Sequence, residues 1–307
     1  MREARTGHTT TELADGKVLV AGGTGDRSAE VYDRSTDTWA PTAGLMTRPR
    51  SGHAAVRLTN GSVLAVDGTS AEAYDPDGGS WLPTGPVPVG LAPPPDTEST
   101  TYRMRGPFVD GLVALPSGRA LAVFSAKIIV RPECPGVCSS AYTVTSVLEY
   151  TSAGDRWANR RNRNDQWAGS TVTRLATGRV LVAGGWTSDF LASDLAVGAA
   201  EVYDVPAQGW RDRESMAEDR RDHRATLLDD GRVLVSGGLD QNCDSESFLL
   251  ASAELYDPDE LGFVPAASMT RARQDHEAVL LRDGRVLVMG GTDGAGPLAT
   301  AEVWSPG

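Results

Sequence analysis

Six times over, this chain writes the same order of residues, and no other feature constrains its fold as much. The order is clearest at 5–39: Arg5-x-x-His8, an apolar run closed by Asp15-Gly16, then Lys17-Val18-Leu19-Val20-Ala21-Gly22-Gly23, Ala29-Glu30-Val31-Tyr32-Asp33 and finally Trp39. A unit of this kind cannot bury its apolar face alone, so neighbouring copies must stack and supply one another's core. Residues present in copy after copy therefore build the framework, and chemistry has to be sought where the repeat fails.

Within each unit the apolar residues alternate in short runs divided by turn signals, which predicts four short strands, a to d, and not helices. The a–b turn carries a glycine after a small or polar residue in all six units: Asp15-Gly16, Asn60-Gly61, Ser117-Gly118, Thr177-Gly178, Asp230-Gly231 and Asp283-Gly284. Strand b ends in Gly-Gly at 22–23, 184–185, 237–238 and 290–291, where a neighbouring backbone or ring can approach closely. Strand c carries Tyr32, Tyr74, Tyr150, Tyr203, Tyr256 and Trp304, and strand d carries Trp39, Trp81, Trp157, Trp210 and Phe263.

Units with this Gly-Gly, Tyr and Trp order resemble the kelch family, and the Asp-Gly-Arg-Val-Leu-Val-x-Gly-Gly form is most similar to its bacterial, galactose-oxidase-like branch. The resemblance covers nearly the whole chain and implies an all-β, six-bladed β-propeller. One domain over 1–307 is expected, with blades at about 5–47, 48–104, 105–162, 163–219, 220–270 and 271–307. Blade 6 ends at Ala301–Gly307 after strand c, so its outer strand is expected to be missing.

The net charge of −12 argues against nucleic-acid or anionic-membrane binding. No apolar run is long enough to span a bilayer, and Met1 stands in repeat register, four residues before Arg5 as Met46, Met216 and Met269 stand before Arg50, Arg220 and Arg273. The expectation is a soluble protein, cytoplasmic as written and secreted if a leader has been removed. Basic residues are Arg except Lys17 and Lys127, which suggests a GC-rich bacterial source.

The departures from the repeat are gathered. Blade 2 has Asp67 for the first glycine of the pair, and Pro83–Arg105, with Tyr102, Arg103 and Arg105, is too long for a plain connector. Blade 3 puts Pro107 at the Arg position, Asp110 at the His position and Phe124-Ser125 for Gly-Gly, and its b–c connection to about Ser146 holds Cys134 and Cys138. Blade 4 has Trp167 and Ser170 at the Arg and His positions and a long b–c connection with Trp186, Asp189, Phe190 and Asp194. In an up-and-down blade, b–c and d–a connections leave by one end, so these features fall on one face.

Asp110, Asp67 and Asp222, with Asp275 nearby, are candidate acid–base groups on that face. Glu72 joins them if the recurring Arg and Glu pair from blade to blade, leaving it without an arginine; if they pair within a blade, Glu201 is the one left over. Trp167 and Trp186 could wall a sugar or aromatic site, with Ser170, Phe124 and Tyr102 beside them and Arg105 and Arg163 as anion clamps. The histidines, His8, His53, His223 and His276, share one register and read as structural. Cys134 and Cys138 read as a local disulfide and Cys243 as a lone thiol.

Galactose-oxidase relatives bind copper through tyrosines and two histidines, an arrangement with no clear equivalent here, whereas the sialic-acid mutarotase is a kelch propeller that works without a cofactor. The resulting expectation is a cofactor-free acid–base enzyme, an isomerase, cyclase or lyase, that binds a small polar or anionic metabolite or sugar and holds no metal. A non-catalytic propeller gripping a protein or glycan is the alternative.

Overall fold

A computed structural model describes residues 1–23, 25–90, 100–132, 140–163, 168–188, 194–241 and 246–306, with backbone alone at 100–103, 130–132, 140–142, 161–163 and 212–213. Blade 1 consists of β1 (Thr9–Glu12), β2 (Val18–Ala21), β3 (Ala29–Asp33) and β4 (Thr38–Pro41). Blade 2 has β5 (Ala54–Arg57), β6 (Val63–Asp67), β7 (Ser70–Asp75) and β8 (Ser80–Pro83), and blade 3 has β9 (Thr100–Leu115), β10 (Arg119–Pro132), β11 (Ser140–Thr151) and β12 (Arg156–Arg163). In blade 4, β13 (Thr171–Arg174), β14 (Val180–Ala183), β17 (Ala199–Asp204) and β18 (Gly209–Ser215) form the sheet, and β15 (Trp186–Ser188) pairs with β16 (Asp194–Ala196) in its b–c connection. Blade 5 repeats this plan with β19 (Arg224–Leu227), β20 (Val233–Ser236), β23 (Ala253–Asp257) and β24 (Gly262–Ala266), and with the small pair β21 (Leu239–Gln241) and β22 (Ser247–Leu249). Blade 6 has three strands among the described residues: β25 (Glu277–Leu280), β26 (Val286–Met289) and β27 (Ala301–Trp304).

Blade 3 departs from the sequence reading. Its b–c connection is mostly strand, since β10 runs on to Pro132 and β11 resumes at Ser140, and the connector from blade 2 has become strand by Thr100. The chain packs as two compact units, one containing blades 1 and 2 with Gly106–Phe124 and Ser146–Asn162, the other containing blades 4 to 6 with the strand extension within Ser125–Thr145. No described helix is long and apolar enough to cross a membrane.

The a–b turns show why their glycines recur. The Gly16 N–H donates to the Leu13 carbonyl and the Leu13 N–H to the Lys17 carbonyl, a tight turn ending in a residue with positive φ, and all six turn glycines have φ between +69° and +91°. Strand periodicity then divides the core. In β6, Val63 and Ala65 pack with Leu19, Ala21 and Met46 of blade 1, while Leu64 and Val66 pack with Ala120, Ala122 and Phe124 of blade 3. The Tyr–Trp order places both rings on one side of adjacent strands: Tyr32–Trp39, Tyr74–Trp81, Tyr150–Trp157, Tyr203–Trp210 and Tyr256–Phe263 lie 5.0–5.2 Å apart. Such pairs contribute about 0.5–1.5 kcal/mol each beyond their burial.

The Gly-Gly positions are seams between consecutive blades. A Cβ on Gly22 would lie 2.5 Å from the Arg50 carbonyl oxygen and 2.9 Å from His53 Cε1, and Gly184 and Gly237 meet Arg220 with His223 and Arg273 with His276 in the same way. Gly68, the second residue of its pair, has the Pro107 carbonyl oxygen 3.3 Å from where its Cβ would lie.

Candidate functional site

The Arg and Glu of the repeat pair within a blade. Arg5 reaches Glu30 at 3.0 Å, Arg50 Glu72 at 2.6 Å, Arg220 Glu254 at 2.9 Å and Arg273 Glu302 at 2.9 Å. This corrects the reading of Glu72 as a freed base: it is fully buried, bonded to the Arg50 guanidinium and to the Thr47 N–H at 2.7 Å, and belongs to the framework. Asp67 is drawn into the same group, at 2.8 Å from Arg50 and accepting the Ser70 hydroxyl at 2.6 Å. Phe124 is also corrected, because its ring is fully buried in the core between blades 2 and 3 and cannot meet a ligand.

Asp110 is half-buried on β9 of the first unit, and Arg105 is exposed. Trp167, Asp189, Phe190, Cys134, Cys138 and Cys243 lie outside the described residues, as do the side chains of Tyr102 and Arg163. Ser170 is buried at the start of blade 4. Trp186 starts β15, and one face of its ring is taken by the Lys127 ammonium, 5.7 Å from the centroid. Lys127 also bonds Asp194 at 2.5 Å, and the Ser188 hydroxyl donates to that carboxylate at 3.1 Å. Lys127 was legible only as one of two lysines; its placement depends on the extended β10.

In every blade but the third, the residue before the His-register position is the recurring element of this end. Gly7, Gly52, Gly169, Asp222 and Asp275 all have positive φ, from +53° to +70°. The Gly52 N–H donates to the Gly7 carbonyl at 2.8 Å in the first unit, and the Asp275 N–H to the Asp222 carbonyl at 2.9 Å in the second. Blades 5 and 6 thus hold an aspartate in a backbone conformation that glycine serves in blades 1, 2 and 4. Burial, then the neighbouring charge of Asp275, pushes the Asp222 carboxyl above the usual carboxylate range, against the pull of Arg221 and Arg224. In the second unit the d–a and b–c connections of one blade pair directly, Ala168 with Trp186, Arg221 with Leu239 and Gln274 with Thr292, so both kinds of connection do share an end. Arg221 additionally donates to the Gln241 side chain at 2.9 Å, and Arg224 to the His276 carbonyl at 2.6 Å. A half-buried carboxyl, Asp222, with an exposed one, Asp275, and with Arg221 and Arg224 beside it forms a polar site able to take hydroxyl groups.

The three histidines in the seams are neutral. Burial, reinforced by Arg50, lowers His53 to about 4; burial and Arg220 lower His223 to about 3; burial, Arg224 and Arg273 lower His276 to about 4. In the unfolded chain they titrate near 6.5. Their contribution to stability is therefore complete above about pH 6.5 and is lost as pH falls towards about 4, at about 1.4 kcal/mol per pH unit for each. Urea midpoints should drop between pH 7.5 and 5, above the range in which the carboxylates protonate; a constant midpoint would show that these imidazoles are not buried neutral.

Sheets of this order, stacked core to core, define an all-β, six-bladed β-propeller, blade 6 lacking its outer strand among the described residues. No family model matches the chain. Over 295 residues it is 25% identical to galactose oxidase of Gibberella zeae, a match that takes in 90% of this chain and 41% of the enzyme. A fungal alcohol oxidase of the AA5 family, solved in complex with copper, superposes with a TM-score of 0.74 over 99% of this chain and 63% of its own, at 19% identity. The chain spans less than half the length of the curated relative it matches. Both relatives are oxidases and neither is bacterial, which overturns the expectation of a cofactor-free isomerase, cyclase or lyase.

The relative's copper can be tested against the residues present. All four histidines are described: Nε2 of His53 is bonded to Thr9, that of His223 to Thr171 and that of His276 to Ser236, while His8 packs against Gly23. Among the described residues no three His, Cys, Asp or Glu side chains converge as a metal site. The described residues do not fit a copper centre.

Proposed function

We propose that this chain is the propeller of an oxidoreductase of the galactose-oxidase kind, acting on a sugar or another polar alcohol. The observation that carries the reading is the sequence likeness to galactose oxidase along 90% of the chain. The substrate's hydroxyls bind at the end of blades 5 and 6, where Asp222 and Asp275 accept them and Arg221 and Arg224 offset the paired negative charge. The seam histidines hold blades together and take no part in the redox step.

Asp222→Gly and Asp275→Gly test the site cleanly, because they restore the residue that blades 1, 2 and 4 carry at this φ. Each should leave stability within about 1 kcal/mol of the parent. The purified protein is to be titrated with galactose, glycerol and aromatic primary alcohols while thermal shifts are measured. A ligand-induced rise in melting temperature is expected with at least one alcohol, with ligand affinity at least tenfold lower in either glycine variant. No shift with any alcohol would end the reading, and unchanged affinity in both variants would move the site elsewhere.

A further inference from the structure

Blades 5 and 6 carry corresponding residues at the end where their d–a and b–c connections meet. Leu239 and Thr292 follow the two seam glycines and pair with Arg221 and Gln274 in the same way, so the next residues, Asp240 and Asp293, occupy one position. Glu218 and Arg271, each two residues before the seam arginine of its blade, occupy another. In blade 6 these two positions form an ion pair, Arg271 with Asp293. In blade 5 both are acidic.

The consequence shows in Asp240, whose carboxyl is pushed above its usual range by burial and then by Asp219 and Glu218. Glu218 is engaged by the buried Arg220 at 3.1 Å. Among the described residues neither Asp219 nor Asp240 has a cationic group within ion-pair distance. Phe248 stands directly across from Asp240 in the β21–β22 pair, so both side chains rise from one face of that hairpin, and Phe248 is 53% exposed. Gln241, one residue on, turns to the other face and accepts from Arg221 at 2.9 Å. The Asp240–Phe248 face is therefore turned away from that arginine.

An exposed ring with carboxylates beside it suits an organic cation. A guanidinium can bond two carboxylates through its planar fork while it stacks on a ring, which a compact ammonium cannot do.

We infer that the Asp240–Phe248 face of blade 5 docks an arginine side chain of an extended partner peptide, its guanidinium taking the place that Arg271 fills in blade 6. The guanidinium bonds Asp240 and Asp219 and lies against the Phe248 ring. The net charge of −12 favours the approach of a basic segment, and the hairpin gives it a place to stop.

The probe is an acetylated, amidated tetrapeptide with the sequence of residues 269–272, Met-Thr-Arg-Ala, titrated into the intact protein and followed by the backbone amide NMR signals of the isotopically labelled chain. Saturable shifts are expected at the amides of Asp240 and Phe248. Affinity should fall at least fivefold in Asp240→Asn and in Phe248→Ala, and stay unchanged in Asp77→Asn, which removes the same charge from an exposed turn of blade 2. Glu218→Arg supplies within the chain the arginine that blade 6 already has, and should close the site to the peptide while unfolding remains cooperative. Absence of saturable shifts, or unchanged affinity in Asp240→Asn or Phe248→Ala, would overturn the proposal. So would full binding by a folded Glu218→Arg, or equal binding of the counterpart peptide with lysine for arginine. An equal loss in Asp77→Asn would overturn it as well, by assigning the attraction to net charge alone.

Discussion

Arg50→Met is expected to destabilise the first unit by about 3–5 kcal/mol, the usual result of stripping one partner from a buried ion pair. Arg50 and Glu72 are both fully buried, 2.6 Å apart, and the same guanidinium serves Asp67 and the Ser70 carbonyl. Removing it leaves Glu72 charged inside the sheet with only the Thr47 N–H and no route to water. Guanidinium unfolding followed by tryptophan fluorescence should show the loss directly. Arg285→Met is the control, since its pair with Asp283 is exposed, and no measurable change is expected there. Adding Glu72→Leu to Arg50→Met should recover much of the lost stability; if it does not, the damage lies in packing and not in the orphaned charge.

Gly184→Ala should be comparably severe, by a different cause. Its φ is +63°, and the new Cβ would stand 2.4 Å from His223 Cε1 and 2.6 Å from the Arg220 carbonyl oxygen. The left-handed backbone costs about 1–2 kcal/mol for a residue with a Cβ. Forcing the seam between blades 4 and 5 apart adds about 1–3 kcal/mol. Gly178→Ala separates the two contributions, because φ is +83° there and nothing lies within 4 Å of the added methyl. The difference between the two variants in unfolding free energy measures the seam contact alone. Equal losses would mean that blades 4 and 5 are not held together through Gly184 and His223.

Much of the fold was legible because its determinants are local or periodic. The six turn glycines announce a φ that other residues avoid, the alternation of Leu19 and Ala21 with Val18 and Val20 announces strands, and the Tyr–Trp order announces two adjacent outer strands. The candidate site was legible only in part. Asp222 and Asp275 stood out as carboxylates in the d–a turns of blades 5 and 6, but that they take a conformation glycine serves elsewhere was not read, and Lys127 gave no sign of meeting Trp186 and Asp194, since that meeting depends on how far β10 runs beyond the blade. Phe124 read as a departure from Gly-Gly and so as a ligand contact, yet what a ring does there is decided by the neighbouring blade it packs into.

By itself, then, the sequence determined that the chain forms six all-β modules, where each turns, which faces are apolar and which positions bring rings together. These follow from backbone preferences and a period of two, which act over a few residues at a time. Only the tertiary structure decided that Arg5, Arg50, Arg220 and Arg273 take the glutamate of their own blade, that Glu72 is framework and that His53, His223 and His276 are locked in seams. Those outcomes depend on which strands lie side by side across 17 to 52 residues of intervening chain, as in Arg220 to Gly237 and Thr171 to His223, and spacing along the chain does not encode that register.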